Sequence, residues 1–399
     1  MEEKLDLILR SPGTGTPADP TRFGPETAER VRAFHRSFPE YAPTPLVQLD
    51  RLAGRLGLGG ISVKDESKRF GLNAFKVLGG SWAIGNLIAG RLGVDIARLT
   101  CEKLTSPEVK AQLGSLTFIT ATDGNHGRGV AWTAHRLGQN SVVYMPRGTA
   151  AERLANIRAL GSDASITDLC YDDAVRLARK QAEEKGYILV QDTSWEGYET
   201  VPGWIMEGYT TMAAEAEEQL AGEPPTHIFL QAGVGALAGA IAGYYTAKYG
   251  EEHRPRIIIV EPTRADCIFR SAREGKVQFA TTEMNTIMAG LACGEPCPLG
   301  WEQLRDHADA YISMPDRCAA RAMRVLGNPL SGDAPITSGE SGASTMGALL
   351  ELTTNPELTA QRAALGLNDS ARVLLFSTEG DTDRENYRRI VWDGAFGEV

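Results

Sequence analysis

The sequence predicts an α/β protein with mainly parallel strands in two blocks, and three observations carry that reading. From Ile61 onward, short apolar runs alternate with stretches of helical periodicity, the pattern of parallel strands joined by crossover helices. Two glycine-rich turns each follow such a run and open a helix. The 399 residues, 42% hydrophobic and 23% charged, supply enough apolar material for two blocks.

The first sixty residues carry Pro and Gly punctuation, including Ser11-Pro12-Gly13-Thr14-Gly15. A polar helix follows around Pro25 to Arg36, read as an N-terminal extension packed on a core. Strands are expected at Ile61 to Asp65, Leu116 to Ala121, Ser141 to Met145, Tyr187 to Gln191, His227 to Gln231, Arg256 to Val260, Ala310 to Ser313 and Arg372 to Phe376. After Gly127, the residues Val130, Ala131, Ala134 and Leu137 recur at helical spacing, and Ala151 to Leu160 and Asp172 to Lys185 behave alike. One block gathers the strands between about 90 and 200, the other the remainder, with a cleft between them as the natural ligand site.

Composition narrows the function. A net charge of −10 with no basic run argues against nucleic acid. No apolar run reaches the ~18 residues of a membrane span, and Met1-Glu2-Glu3-Lys4 opens no signal peptide, so a cytoplasmic enzyme acting on small molecules is expected. Six cysteines are too sparse to be a disulfide framework. Cys293-Gly294-Glu295-Pro296-Cys297 has no second cysteine pair, and its nearest histidine, His307, stands alone, so no metal is expected.

Three segments carry chemistry. In Gly71-Leu72-Asn73-Ala74-Phe75-Lys76-Val77-Leu78-Gly79-Gly80 a single lysine sits among apolar and small residues. Burial there would favour the neutral amine, ready to condense with an aldehyde such as pyridoxal phosphate; the plain alternative is a lysine snorkelling from a first helical turn. Thr120-Ala121-Thr122-Asp123-Gly124-Asn125-His126-Gly127-Arg128-Gly129 ends a strand and opens a helix, so its amides could take an anionic group, unless it is only a capped tight turn. Gln231-Ala232-Gly233-Val234-Gly235-Ala236-Leu237-Ala238-Gly239 can cradle a phosphate on backbone amides. It also fits the G-x-G-x-x-A dinucleotide fingerprint, with Glu261 available for a ribose, which keeps an NAD-dependent dehydrogenase open as a rival. That rival gives no role to Lys76 or to the Asp123 to Gly129 turn.

Asn73 to Gly80, Ala121 to Trp132, Gln191-Asp192-Thr193-Ser194-Trp195-Glu196-Gly197-Tyr198 and Ser377-Thr378-Glu379-Gly380-Asp381-Thr382 together resemble the fold type II pyridoxal-phosphate enzymes, related to the tryptophan synthase beta chain. The likeness narrows to the diaminopropionate ammonia-lyase family over roughly residues 25 to 395, most specifically through the aspartate in the 120s turn. It implies two open, mainly parallel sheet domains with flanking helices: a large cofactor-binding domain of residues 1–88 and 205–399, and a small domain of residues 89–204. It also implies pyridoxal 5′-phosphate as cofactor, an amino acid as substrate and a homodimer.

By the same resemblance, Lys76 would hold the cofactor and act as base at the substrate α-carbon. Gly233, Val234, Gly235, Ala236 and Leu237 would bind its phosphate, Asn125 its phenolic oxygen, and Ser377, with Thr378 as a close second, its pyridine nitrogen. A hydroxyl at that nitrogen makes a weaker electron sink than a carboxylate would and favours prompt loss of a β leaving group. The implied reaction eliminates ammonia from D- or L-2,3-diaminopropionate and ends in pyruvate and a second ammonia. Two enantiomers need a base on each face, Lys76 and Asp123, while Asp192 would orient the distal ammonium unless it merely caps a turn. Glu340, in Ser338-Gly339-Glu340-Ser341-Gly342-Ala343, would lie near the ring, against the alternative of a solvated helix start. His126 is expected to line the site and Arg128 to make a salt bridge or face solvent. Cys267 and Cys293 have the separation of a disulfide near the entrance in that family. A serine or threonine dehydratase of the same fold remains a second alternative.

Overall fold

The computed structural model describes residues 4–10, 17–122, 124–280 and 284–397. Its strands run in chain order β1 (Asp6–Leu9), β2 (Leu46–Gln48), β3 (Gly60–Asp65), β4 (Thr117–Ala121), β5 (Asn140–Met145), β6 (Asp163–Ile166), β7 (Ile188–Leu189), β8 (His227–Gln231), β9 (Arg256–Pro262), β10 (Ala310–Met314) and β11 (Arg372–Ser377). A seven-stranded sheet is ordered β1-β10-β9-β8-β11-β3-β2 and a four-stranded sheet β6-β5-β4-β7. The small sheet is wholly parallel. In the large one only the edge strands, β1 against β10 and β2 against β3, run antiparallel.

The strands absent from the sequence reading, β1, β2 and β6, are short and include exposed residues, so each lacks a continuous apolar run. Strands β8 and β10 are buried at every position and read clearly. The large sheet is covered on both faces. On β11, Leu374 and Phe376 enter one core while Val373 and Leu375 enter the other, and β9 divides Ile257 and Ile259 from Ile258 and Val260 in the same way. Burial of each such side chain contributes roughly 1.5–3 kcal/mol.

The polar helix begins and ends as expected, at Pro25–Arg36, with Pro25 in its first turn. Phe34 on that helix meets Trp82 edge to face at 5.5 Å, which ties it to the helix Val77–Leu92. Three helices converge just beyond Lys76. A Cβ on Gly79 would lie 2.7 Å from Ile205 and Tyr209 of the helix Thr200–Gln219, and one on Gly129 would lie 2.8 Å from the Val77 backbone. Side chains at these points would push the helices apart, so glycine sets how rigidly the Lys76 backbone is held. Among the described residues no helix is long and apolar enough to cross a membrane.

Candidate active site

Lys76 occupies the N-cap position of the helix Val77–Leu92. The chain reaches it through Asn73, in the left-handed region at φ 58°, and then pairs with the segment after β11: Ala74 bridges Glu379, and Phe75 N–H donates to Thr378 O at 3.1 Å. Its side chain is 18% exposed, which separates it from a solvated snorkelling lysine. Its Nζ donates to Asp192 Oδ2.

Asp192 follows β7 and is buried. Its Oδ1 accepts from Tyr171 Oη and from Gln191 Nε2, both at 3.1 Å. Burial alone would raise this carboxyl, but the charges of His126 and Lys76 and the hydrogen bonds from Lys76 and Tyr171 outweigh it and hold the group well below the usual carboxylate range. The next helix does not start until Thr200, and the Asp192 carboxylate is bonded to the side chains of Lys76, Tyr171 and Gln191.

The 120s turn leads into the helix Asn125–Arg136 through Gly124, at φ 153°. Asp123 lies outside the described residues. Asn125 is buried and donates to Glu379 Oε2 at 2.5 Å. His126 is buried beside Asp192, behind the residues that line the cleft. Arg128 also stays off the cleft wall, and its guanidinium is held below its ordinary value by burial and by the charge of Arg384.

Gly233, Val234, Gly235, Ala236 and Leu237 join β8 to the helix Ala236–Tyr249 and line one side of the cleft. Gly235 is left-handed at φ 91°, and a Cβ on Gly233 would stand 3.2 Å from Cys293 Sγ and Gly290 O. The loop is tied down where Cys297 N–H donates to Val234 O at 2.7 Å. Cys267 and Cys293 both border Gly233 and are thiols rather than a disulfide.

Ser377 and Thr378 are placed differently. Strand alternation turns Ser377 the way of Val373 and Leu375, where its hydroxyl donates to Ser338 Oγ at 2.7 Å, away from the cleft. Thr378 lines the cleft, its hydroxyl accepting from Gln231 Nε2 at 2.8 Å. Of the two hydroxyls expected at the cofactor nitrogen, the structure places that of Thr378 on the cleft wall and turns that of Ser377 away from it. Glu340 also lines the cleft; it opens the helix Glu340–Thr354 and is buried, not solvated. Burial, and then the charge of Glu379, push its carboxyl up to about 7.

The dinucleotide rival fails on Glu261, whose carboxylate accepts from Ile268 N–H at 2.9 Å and Phe269 N–H at 2.6 Å and is fully buried off the cleft. Among the described residues no cluster of metal-ligating side chains is present.

The cleft encloses about 1480 Å³ and is lined by Lys76, Asn125, Asp192, the Gly233 to Leu237 loop and Thr378 together. These residues fit pyridoxal phosphate. A Cβ at Gly233 would crowd the cradle at 3.2 Å, helix-start amides lack intrahelical acceptors, and the buried Gln231 Oε1 has no partner among the described residues. Sequence reasoning missed Tyr171, Gln231 and Glu379. Glu379 sits inside a segment that resembles the family, and Gln231 ends a strand just before the glycine loop, so both had a local signal. Tyr171 opens a helix far along the chain and had none.

Residues 38–369 match the model of the pyridoxal-phosphate dependent enzymes. The chain is 51% identical to a diaminopropionate ammonia-lyase of Salmonella typhimurium over 98% of both chains. A crystal structure of selenomethionine-incorporated holo diaminopropionate ammonia lyase from Escherichia coli is similar with a TM-score of 0.93 and 48% identity, covering 99% of this chain and 98% of that one. An L-threonine ammonia-lyase of Geobacter sulfurreducens is more distant, 29% identical over 59% of this chain and 58% of its own.

Proposed function

From a chain that belongs to the pyridoxal-phosphate-dependent enzymes, within the diaminopropionate ammonia-lyase family, we propose that this cleft eliminates ammonia from 2,3-diaminopropionate, ending in pyruvate and two ammonia. The observation that carries the reading is the Lys76–Asp192 pair at the cleft wall opposite a glycine cradle. A buried carboxylate bonded to the amine suits a substrate with a second ammonium. A dehydratase, whose leaving group is a hydroxyl, has no use for a fixed negative charge there.

Lys76, Asn125, Thr378 and the Gly233 to Leu237 amides would hold the cofactor, which when bound supplies the sink for the electrons left at the substrate α-carbon. Lys76 Nζ takes the proton from that carbon. Asp192 binds the β-ammonium, so that the C–N bond breaks with its electron pair going to nitrogen and neutral ammonia departs. Tyr171 and Gln191 fix the Asp192 carboxylate in one orientation. The base for the opposite enantiomer is assigned to Asp123 by resemblance alone.

The reading extends to a cytoplasmic homodimer, in keeping with the family and the acidic net charge. It also extends to a large domain of residues 1–88 and 205–399 and a small one of 89–204, since β4 to β7 all fall in the latter range. Coupled pyruvate and ammonia detection on a panel of D- and L-diaminopropionate, serine and threonine tests it. Two ammonia per pyruvate from diaminopropionate is the expected result. Faster turnover of threonine or serine would return the site to the dehydratases.

A further inference from the structure

The site sets two nitrogens against one carboxylate, and the second nitrogen has no task in the reaction as described. His126 is 1% exposed, in the first turn of the helix Asn125–Arg136. Its Nε2 lies 2.8 Å from Val190 O. A carbonyl oxygen only accepts, so Nε2 carries a proton, and this assigns the ring orientation. Nδ1 then faces Asp192 Oδ2 at 3.9 Å, the oxygen that also receives Lys76. A neutral ring would turn a lone pair toward that carboxylate, whereas a protonated one turns a positive charge toward it. Burial by itself opposes a charge on the ring, so what favours the protonated form is the carboxylate 3.9 Å away in a site nearly closed to water, where the attraction between opposite charges is strong.

Lys76 cannot serve Asp192 as an ammonium while its amine is engaged with the cofactor. A carboxylate buried this deeply and left without a cation would take up a proton and lose its hold on a substrate ammonium. We propose that His126 is a positioning residue acting through Asp192: anchored on Val190 O, it presents a cationic Nδ1 that keeps Asp192 a carboxylate when Lys76 is occupied. The inference rests on the lyase reading above.

Among the described residues, the other titratable groups around Asp192 are Tyr171 from the helix Tyr171–Lys185, Tyr198, Tyr209 from the helix Thr200–Gln219, and Cys297. Burial pushes Tyr198, Tyr209 and Cys297 up, and Tyr171 donates its proton to Asp192, so none of them supplies positive charge. Among the described residues, Lys76 and His126 are the cations acting on Asp192.

His126→Gln keeps an N–H for Val190 O and removes the charge. In the cofactor-loaded enzyme, the ratio of variant to wild-type kcat/KM for diaminopropionate is followed against pH, where the substrate's own titration cancels. The acid limb of the variant is expected to rise by about one pH unit or more, the shift that an opposite charge at this range imposes on a carboxyl. A uniform drop in rate with an unmoved limb would mean a merely structural histidine and overturn the proposal. If the variant does not fold, nitrogen NMR of histidine-labelled wild-type holoenzyme decides, with His307→Gln removing the other carboxylate-paired ring. A buried histidine doubly protonated at pH 8 is expected; a neutral ring there overturns the inference. Neither readout is confused with failure of the lyase reading, which would show as no pyruvate from the wild type.

Discussion

Lys64 and Lys76 stand at opposite ends of one short segment, and each reaches a buried carboxylate. Lys64 Nζ is fully enclosed, with Thr44 O at 2.7 Å, Gln219 Oε1 at 2.8 Å and Glu215 Oε2 at 2.7 Å around it. Arg69 completes that cluster by bonding both Glu66 and Glu215, so two cations face two anions with no access to water. Lys76 has the cleft on one side and Asp192 on the other. Burial lowers the pKa of Lys64, which faces no cleft, so desolvation alone does not make a nucleophile. An ammonium whose three protons are all taken, behind a sealed wall, is a strut. The same group at the edge of a cavity can lose its proton to a reaction.

The comparison can be broken most sharply at Lys76 itself. Lys76→Ala should lower pyruvate formation by ~10³-fold or more and abolish the yellow colour of the loaded protein, while circular dichroism and thermal midpoint stay close to wild type. Loss of fold with that change would make Lys76 a strut too. Next in size, Arg69→Met should cost about 3–5 kcal/mol of stability, because it leaves two buried carboxylates, Glu66 and Glu215, facing Lys64 where two cations stood before. Denaturant unfolding measures this, and the rate of the folded fraction should remain within a few-fold of wild type.

Asp192→Asn sharpens the active side of the contrast. It keeps the shape that meets Tyr171 and Gln191 and removes the charge, so kcat should fall by ~10²-fold with little change in unfolding free energy. Equal losses of rate and stability would place Asp192 with the sealed cluster.

What sequence reasoning reached and what it missed follow the same physical line. Lys76, Asn125 and the Gly233 to Leu237 loop are legible because each sits in a contiguous segment whose turn, strand end or helix start dictates its surroundings. Buried strands such as β8 read from composition alone, whereas β1, β2 and β6 draw their pairing from distant edges. Choosing Thr378 over Ser377 needed the phase of β11 against its two cores, which motif likeness does not carry. Tyr171 reaches Asp192 across 21 positions of chain, and Asn125 reaches Glu379 across 254; only the folded sheets create those contacts. Glu261 looked like a ribose ligand by spacing and is a buried acceptor for the start of the helix Cys267–Glu274.

The smallest expected effect concerns pH, where the two regions have opposite signs. In the sealed cluster, burial would raise Glu215, but Arg69 and Lys64 outweigh it and bring it to about 2. Its folded value lies below its unfolded one, so its stabilisation is present above the ordinary glutamate range and is lost as pH falls from about 4.5 toward 2. Glu340 at the cleft is raised to about 7. Its contribution is present at low pH and lost as pH rises through about 4.5 to 7. In cofactor-free protein, Glu340→Gln should therefore raise the thermal midpoint by ~2 °C at pH 8 and leave it unchanged at pH 5. The reverse pattern would show that Glu340 is stabilised as an anion.

The division between strut and nucleophile is tested most directly by loading the protein with pyridoxal phosphate, reducing it with borohydride and mapping the labelled peptide by mass spectrometry. The label is expected on Lys76, with Lys64 unmodified. A label on Lys64 or any other amine, with Lys76 intact, would contradict the account.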